Sequence, residues 1–247
     1  MFPISLVIIT FNEERNIAEC ISSAREVVDE ILVLDSFSAD NTREIAEALG
    51  AKVHTHIFDG HIQQKNRAKD LAKNKWVLSL DADERLSEEL RKAIANLKMN
   101  DEITGYTMNR LNHYCGTPIK TCGWYPDRKL RLWNKEKGNW GGVNPHDRFE
   151  LSEGKTSHLQ GDILHFTYPD KATMLAQANK FAAIAAEQNK DKNYAYLLIK
   201  MIFSSSFKFL KTYFIQLGFT DGKYGWEICT NQAREVFMKY RLALKLK

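Results

Sequence analysis

The chain has 247 residues, 44% hydrophobic and 27% charged, with a formal charge of +4, enough for one large α/β domain or one domain with an appendage. So mild a charge suits an anionic substrate or a membrane surface but is too weak to imply nucleic acid, and no nucleic-acid-binding motif adds to it. The four cysteines form no C-x-x-C pair, and the amino terminus lacks the basic and apolar regions of a signal peptide; reduced thiols in a cytoplasmic protein are expected, with Cys115 and Cys122 as the pair that could bond or share a metal.

The first hundred residues alternate strand and helix signals, the pattern of a mainly parallel sheet with crossover helices. Ile4 to Ile9 predicts the first strand and Asn16 to Val27 a helix. Glu30 to Leu34 predicts the second strand, and the turn from Ser38 to Thr42 leads into a helix closed at Gly50, a residue suited to a C-cap. Lys52 to Phe58 reads as the third strand, Gln63 to Asn74 as a helix, Trp76 to Leu80 as the fourth strand, and Ser87 to Lys98 as a helix with Ser87 as its N-cap. Right-handed crossovers place the strand-to-helix loops at one edge of the sheet. Those loops carry Thr10 to Glu13, Asp35 to Thr42 and Asp81 to Glu84.

The fourth strand is the most informative stretch, because its apolar run ends in Asp81-Ala82-Asp83-Glu84. A strand buried on both faces delivers these carboxylates to the crevice outside its carboxyl end, where open α/β sheets bind ligands. Clustered carboxylates repel unless a proton or cation lies between them. Aspartate oxygens suit Mg²⁺ or Mn²⁺, ions that bridge carboxylates to substrate phosphates. Taken alone, the segment also reads as a polar turn that caps the next helix.

After Asn100 the runs shorten. Gly105 to Leu111 and Lys129 to Trp133 read as strands between loops rich in Gly, Pro, Trp and Asn, a region expected to shape an acceptor pocket. Trp124, Tyr125, Trp133 and Trp140 can stack on sugars or pack in the core, and core packing is expected for at least two. His165 ends another strand-like run, and Asp170 to Gln188 predicts a helix rich in Ala. From Tyr196 to Leu217 no apolar run reaches the length of about 18 residues that argues for a membrane span. At 100° per residue Lys200, Ser204, Lys208 and Lys211 fall in one wedge beside a broad apolar face. That is the form of an interfacial helix, with Lys239, Arg241, Lys245 and Lys247 attracting anionic lipid, or of a helix packed on the protein or across a dimer.

Three loops in this order resemble the nucleotide-sugar glycosyltransferases of family 2, which share the GT-A fold. The carriers are the opening Ile4 to Glu14, the Asp35-Ser36-Phe37-Ser38-Ala39-Asp40-Asn41-Thr42 segment, and Asp81-Ala82-Asp83 at the D-x-D position, with Gln63 to Ala68 similar to the polar-basic segment before it. Further on, Trp140-Gly141-Gly142 through His146-Asp147, then His165, then Gly218 to Gly222 resemble a bacterial subgroup that includes lipopolysaccharide core β-glucosyltransferases. That subgroup usually has His-Glu where this chain has His146-Asp147.

The resemblance implies a GT-A type α/β fold: a Rossmann-like, mainly parallel sheet flanked by helices, with a C-terminal amphipathic helical extension. Residues 1–190 would form the transferase domain, 1–100 for the nucleotide sugar and 101–190 for the acceptor, and 191–247 the membrane-associating extension. It implies an inverting enzyme that moves a hexose such as glucose from a nucleoside diphosphate sugar, a uridine one expected, to a lipopolysaccharide core or other envelope glycan at the cytoplasmic face of the inner membrane. Thr10, Phe11, Asn12, Glu13, Asp35, Ser38, Asp81 and Ala82 would meet the donor. Lys65 and Arg67 would meet its diphosphate, or be solvated helix charges. Asp83 would ligate Mg²⁺ or Mn²⁺ with His165 as a second ligand, and Asp147 would be the base, with His146 in competition. Glu84 would orient the aspartates or cap a helix. Two other readings stand beside this one: a haloacid-dehalogenase-like phosphatase with Asp81 as nucleophile, although Arg85 breaks its D-x-D-x-T/V pattern, and a non-catalytic membrane-associated sugar-binding protein. A nicotinamide enzyme would need a G-x-G-x-x-G turn after the first strand, which is absent.

Overall fold

The computed structural model describes residues 2–98, 100–143 and 146–247, without the side chain of His146. Two compact units are present: Met1–Arg110 with Asp127–His165, and Leu111–Pro126 with Phe166–Lys247. The chain passes between them after residues 110, 126 and 165, whereas the expected boundary lies at residue 190.

The first unit opens with β1 (Ile4–Thr10), α1 (Ile17–Ala24), β2 (Glu30–Asp35), α2 (Thr42–Ala48), β3 (Lys52–Thr55), α3 (His61–Leu71) and β4 (Trp76–Asp81). Next come β5 (Glu84–Leu86), α4 (Glu88–Ala95), β6 (Ile103–Tyr114) and the two-residue strand β7 (Thr117–Pro118), the last in the second unit. The first unit resumes with β8 (Asp127–Asn134), β9 (Gly138–Val143), β10 (His146–Leu151) and β11 (Lys155–Tyr168). The main sheet runs β3-β2-β1-β4-β8-β6-β11-β5, with β7 on β6, and β9 and β10 form a separate two-stranded sheet. β1 is parallel to both β2 and β4, whereas β8 returns antiparallel to β4.

The apolar runs become central strands because both faces are covered. On one face Ile4, Leu6, Ile8, Val33, Leu78 and Leu80 pack against Ile17 and Ile21 of α1, Ala46 of α2, and Leu90 and Ile94 of α4. On the other, Val7, Leu32, Leu34 and Val77 meet Ala68 and Ala72 of the α3 segment and the aromatic group Trp133, Trp140 and Phe149. Each fully buried Ile or Leu contributes roughly 1.5–3 kcal/mol. Ser87 caps α4 as expected, its Oγ accepting from the Leu90 N–H at 3.2 Å. β3 stops at Thr55, three residues short of the predicted strand, and Ile57 and Phe58 beyond it are exposed.

The second unit contains α5 (Lys171–Glu187), α6 (Tyr194–Ile199), α7 (Ser205–Leu210) and α8 (Gly222–Lys245). α5, expected in the transferase domain, packs on α8. Its Met174 joins Tyr114, Ile119, Cys122, Ile228 and Cys229 in one buried cluster. The first turn of α8 needs glycine, since a Cβ on Gly225 would meet the Gly218 carbonyl oxygen at 1.7 Å. Cys122 lies beside Cys229, Sγ to Sγ 3.5 Å, so the pairing considered between Cys115 and Cys122 is not the one the fold brings together. Two π turns, Lys200–Ser204 and Lys211–Ile215, interrupt the helix expected over 196–217. The wider turns break the 100° count: Lys200, Ser204 and Lys208 are half-buried while Lys211 is exposed.

Candidate active site

The parallel register sets three strand ends side by side. Thr10 pairs with Asp35, and Ile9 with Asp81. The first two loops interlock above them. Thr10 Oγ1 donates to Asp35 Oδ1 at 2.9 Å, and Ser38 donates to the same carboxylate from its N–H at 2.8 Å and its Oγ at 2.5 Å. Asn12, at φ +56°, donates its N–H to Ser38 Oγ and accepts from the Ala39 N–H, both at 2.8 Å. The Glu13 N–H donates to Thr42 Oγ1 at 2.8 Å, and Asp40 accepts from the Glu14 N–H. Asp35, expected on the nucleoside, is wholly buried with both oxygens engaged, so in this structure it holds the loop. Phe11 and Phe37, 59% and 54% exposed, are the large side chains these loops leave in the open.

Lys65 and Arg67 do not act as a pair. Two residues apart on a helix, they point about 200° from one another. Arg67, expected on the diphosphate or as a solvated helix charge, closes on Asp59 with a bidentate fork at 3.2 and 3.0 Å and donates to Gln64 Oε1. Lys65 is buried, 4.5 Å over the Trp140 ring, and its Nζ reaches Asp81 Oδ1 at 3.0 Å and Asp147 Oδ2 at 2.8 Å. Asp147 thus arrives beside the D-x-D turn from 64 or more residues away in sequence, on β10. The hairpin that carries it is clamped to α3 by reciprocal 2.9 Å bonds between the Asn66 amide and the Trp140 backbone, and by Lys69 on Asn139 at 2.6 Å.

Asp81 is held on its other side by Arg131 of β8, Nη2 to Oδ2 2.7 Å. Burial opposes its ionisation, but Arg131 and then Lys65 outweigh it and hold the carboxyl well below the usual carboxylate range. The same Arg131 nitrogen reaches Glu84 Oε1 at 2.9 Å, and Glu84 Oε2 accepts from the Asp81 N–H at 2.9 Å. Glu84 therefore orients Asp81 from β5 instead of capping a helix. Arg110 adds a weaker contact to Glu84, 3.4 Å, and pairs with Asp127 at 2.8 Å. Ala82 is buried between the two aspartates.

Asp83 is different. Its side chain is 28% exposed and its Oδ2 lies 3.2 Å from His165 Nε2, which β11 presents opposite Glu84. The Glu13 carboxyl is raised by its burial and further by the charges of Asp83, Asp40 and Asp81, against a hydrogen bond from Asn16 that lowers it. Three carboxylates, Asp81, Glu84 and Asp147, share the two buried cations Lys65 and Arg131, and Asp83 stands beside them on His165. The excess of negative charge and the oxygen-plus-imidazole pair of Asp83 and His165 fit a divalent cation, although no group of three ligating side chains is assembled among the described residues. His146, the competing base, lies outside the described residues.

Arg131, Asn66 and Arg110 were not singled out in the sequence. The signal for Arg131 was one charge inside the apolar run Leu130-Arg131-Leu132-Trp133, since a charge placed in a buried strand must be paired. Trp133 and Trp140 are core residues: Trp133 tilts against Phe149, and Trp140 meets both rings edge-on. A phosphatase would need a free Asp81 oxygen as nucleophile, and here both are tied to cations.

Residues 5–150 match the model of the Glycosyl transferase family 2. An uncharacterized glycosyltransferase of Rickettsia typhi is 30% identical over 240 residues, 90% of this chain and 80% of that one. A lipopolysaccharide core biosynthesis glycosyltransferase, LpsC of Rhizobium meliloti, is 28% identical over 219 residues, 86% of this chain and 81% of that one. Among solved structures, a mannosyltransferase from Pyrobaculum calidifontis in complex with GDP-Man and Mn²⁺ superposes with a TM-score of 0.52 at 14% identity, over 78% of this chain and 66% of that one. That likeness is one of fold, GT-A, with the mainly parallel sheet and flanking helices expected. With strand-end loops in the order and geometry described, and a family match over more than half its length, the chain is a glycosyltransferase and belongs to glycosyltransferase family 2.

Proposed function

We propose that this transferase moves a hexose from a nucleoside diphosphate sugar, a uridine one, to a lipopolysaccharide core or related envelope glycan, inverting the anomeric carbon and using a divalent cation. The observation that carries the reading is the pairing of Asp83 with His165 at the mouth of a carboxylate-rich cluster. The kinship with LpsC supports the acceptor class. Asp83 and His165 would hold Mg²⁺ or Mn²⁺, whose positive charge would offset that developing on a departing diphosphate. Lys65 adds fixed positive charge on the same side, and Asp81, locked between Lys65 and Arg131, keeps it in place. The nucleoside lies against the interlocked loops, with Phe11, Phe37 and Glu13 as the groups nearest its ribose and base.

Asp147 comes from the β9–β10 hairpin, a separate element that meets the D-x-D turn through Lys65, and is assigned the role of base. The acceptor hydroxyl oxygen attacks the anomeric carbon from the face opposite the diphosphate, its proton passes to the Asp147 carboxylate, and the nucleoside diphosphate leaves. Asp147→Asn is expected to lower turnover by about 10²–10⁴-fold with donor binding retained, measured by initial rates and by donor titration. Undiminished turnover removes Asp147 as the base. A panel of nucleotide sugars tests the donor: the correct one at a hundred times its Kd should stabilise the fold by about 2.7 kcal/mol, and only with Mg²⁺ or Mn²⁺ present. Equal stabilisation in chelator would overturn the cation's place in the site.

Peripheral membrane contact belongs to the same proposal. No helix among the described residues is long and apolar enough to cross a membrane, but Ile202, Phe203 and Phe207 stand 55–69% exposed on the π-interrupted helix. Residues 194–247 hold nine lysines and arginines against three acids, while the whole chain carries only +4. An apolar strip bordered by positive charge is the form that binds anionic bilayers. Replacing all three apolar residues by Ser should cut flotation with anionic liposomes at least fivefold, and equal flotation of both proteins would sink the membrane reading.

A further inference from the structure

The helices α7 and α8 leave an open groove of about 550 Å³ between them, lined by Phe209, Leu210, Ala233 and Phe237 with Arg234 on its wall. The lining is regular: Phe209 and Leu210 follow Ser205 and Ser206 by one turn on α7, and Phe237 follows Ala233 by one turn on α8. Its size falls within the roughly 300–1,000 Å³ range of small-ligand sites, which are largely apolar with a few placed polar groups. Here the polar group is cationic. Arg234 is exposed and in no ion pair of the described residues.

Two observations fix the occupant. The groove is continuous with the apolar strip, because Leu210 lines the groove and is itself 51% exposed. The surrounding segment has three times as many basic as acidic residues. A peptide helix would satisfy the apolar lining but gives no reason for the charge, whereas an anionic phospholipid supplies both parts. We infer that the α7–α8 groove is a lipid site that takes one acyl chain of an anionic membrane phospholipid, with Arg234 on its phosphate. The inference rests on the membrane reading above and adds to it a single defined site. Surface partitioning depends on bilayer charge, while a site saturates with lipid monomers.

The test uses the full chain and lysophosphatidylglycerol below its micelle concentration, without vesicles. Wild type is expected to bind one molecule saturably, and more tightly than lysophosphatidylcholine. Ala233→Trp, which fills the groove, should lose binding at least tenfold, and Arg234→Gln should abolish the preference for the anionic lipid. Ser206→Phe fills the groove from α7 and stands in if Ala233→Trp unfolds. Binding by either filled variant equal to wild type overturns the site, as does a wild-type dimer that Ala233→Trp dissociates, which would make the groove an interface between two copies. Liposome flotation of wild type reports separately on the membrane surface. Flotation without monomer binding sinks the site and leaves the surface, and neither result overturns both.

Discussion

Asp83→Ala should reduce sugar transfer by on the order of 10³-fold while leaving stability within about 1 kcal/mol of wild type. The two halves of this expectation have different sources. Asp83 is partly exposed and its neighbour is the His165 ring, so the fold loses little when the carboxylate goes. The chemistry loses the oxygen best placed to hold a cation against the leaving diphosphate. Glu13 should respond as well, since the Asp83 charge is one of the things that raise its carboxyl. Asp81→Ala is the informative contrast: it takes one carboxylate from each of Lys65 and Arg131, both buried, leaving them Asp147 and Glu84, and should lose stability as well as activity. Initial rates with Mn²⁺ and urea denaturation midpoints separate the cases. Transfer by Asp83→Ala within tenfold of wild type would falsify the assignment.

The parts of the fold written in continuous apolar runs were legible in the sequence. β1, β2 and β4 are buried on both faces, so their runs are continuously apolar and their short, bounded length marks them as strands, and the loops at their ends followed from handedness. The β9–β10 hairpin was not legible. Its Gly138 and Gly141 read as loop residues, yet each sits where a Cβ would strike the facing strand, Gly138 against the Glu150 carbonyl oxygen at 2.3 Å and Gly141 against the Glu150 carboxylate at 2.6 Å. At Gly138, which faces backbone, glycine is a condition of close pairing, whereas the Glu150 side chain facing Gly141 can swing aside. Asn12, Asp35 and Ser38, expected to meet the donor, are linked here through Ser38, so that each loop caps the other, an interlock that the two motifs read separately do not reveal. The bearing of Asp147 on Lys65 could not be read either, because it depends on a hairpin docked on α3.

Arg131 carries the largest structural burden of the site, and Arg131→Met should cost about 3–5 kcal/mol, the usual loss when one partner of a buried ion pair is removed. The guanidinium serves Asp81 and Glu84 together, and Glu84 is wholly buried with only the longer Arg110 contact as a substitute. Arg131→Met combined with Glu84→Gln should recover part of the loss, since the double variant removes a buried charge along with its partner. The pH dependence gives the sign. Asp81 is depressed in the folded chain, so its contribution is fully present above the unfolded carboxyl value of about 4 and fades as pH falls through the lower folded value. Arg131 is the larger of the two cations that hold it down. Its loss leaves Lys65 alone against burial, and Asp81 then titrates closer to its unfolded value. The stability gap between wild type and Arg131→Met should therefore be full at pH 7 and close below about pH 4, as urea midpoints across that range will report. A variant within 1 kcal/mol of wild type at pH 7 would mean that Asp81 and Glu84 are held without Arg131, and that the order of the D-x-D turn comes from Lys65 and the backbone alone.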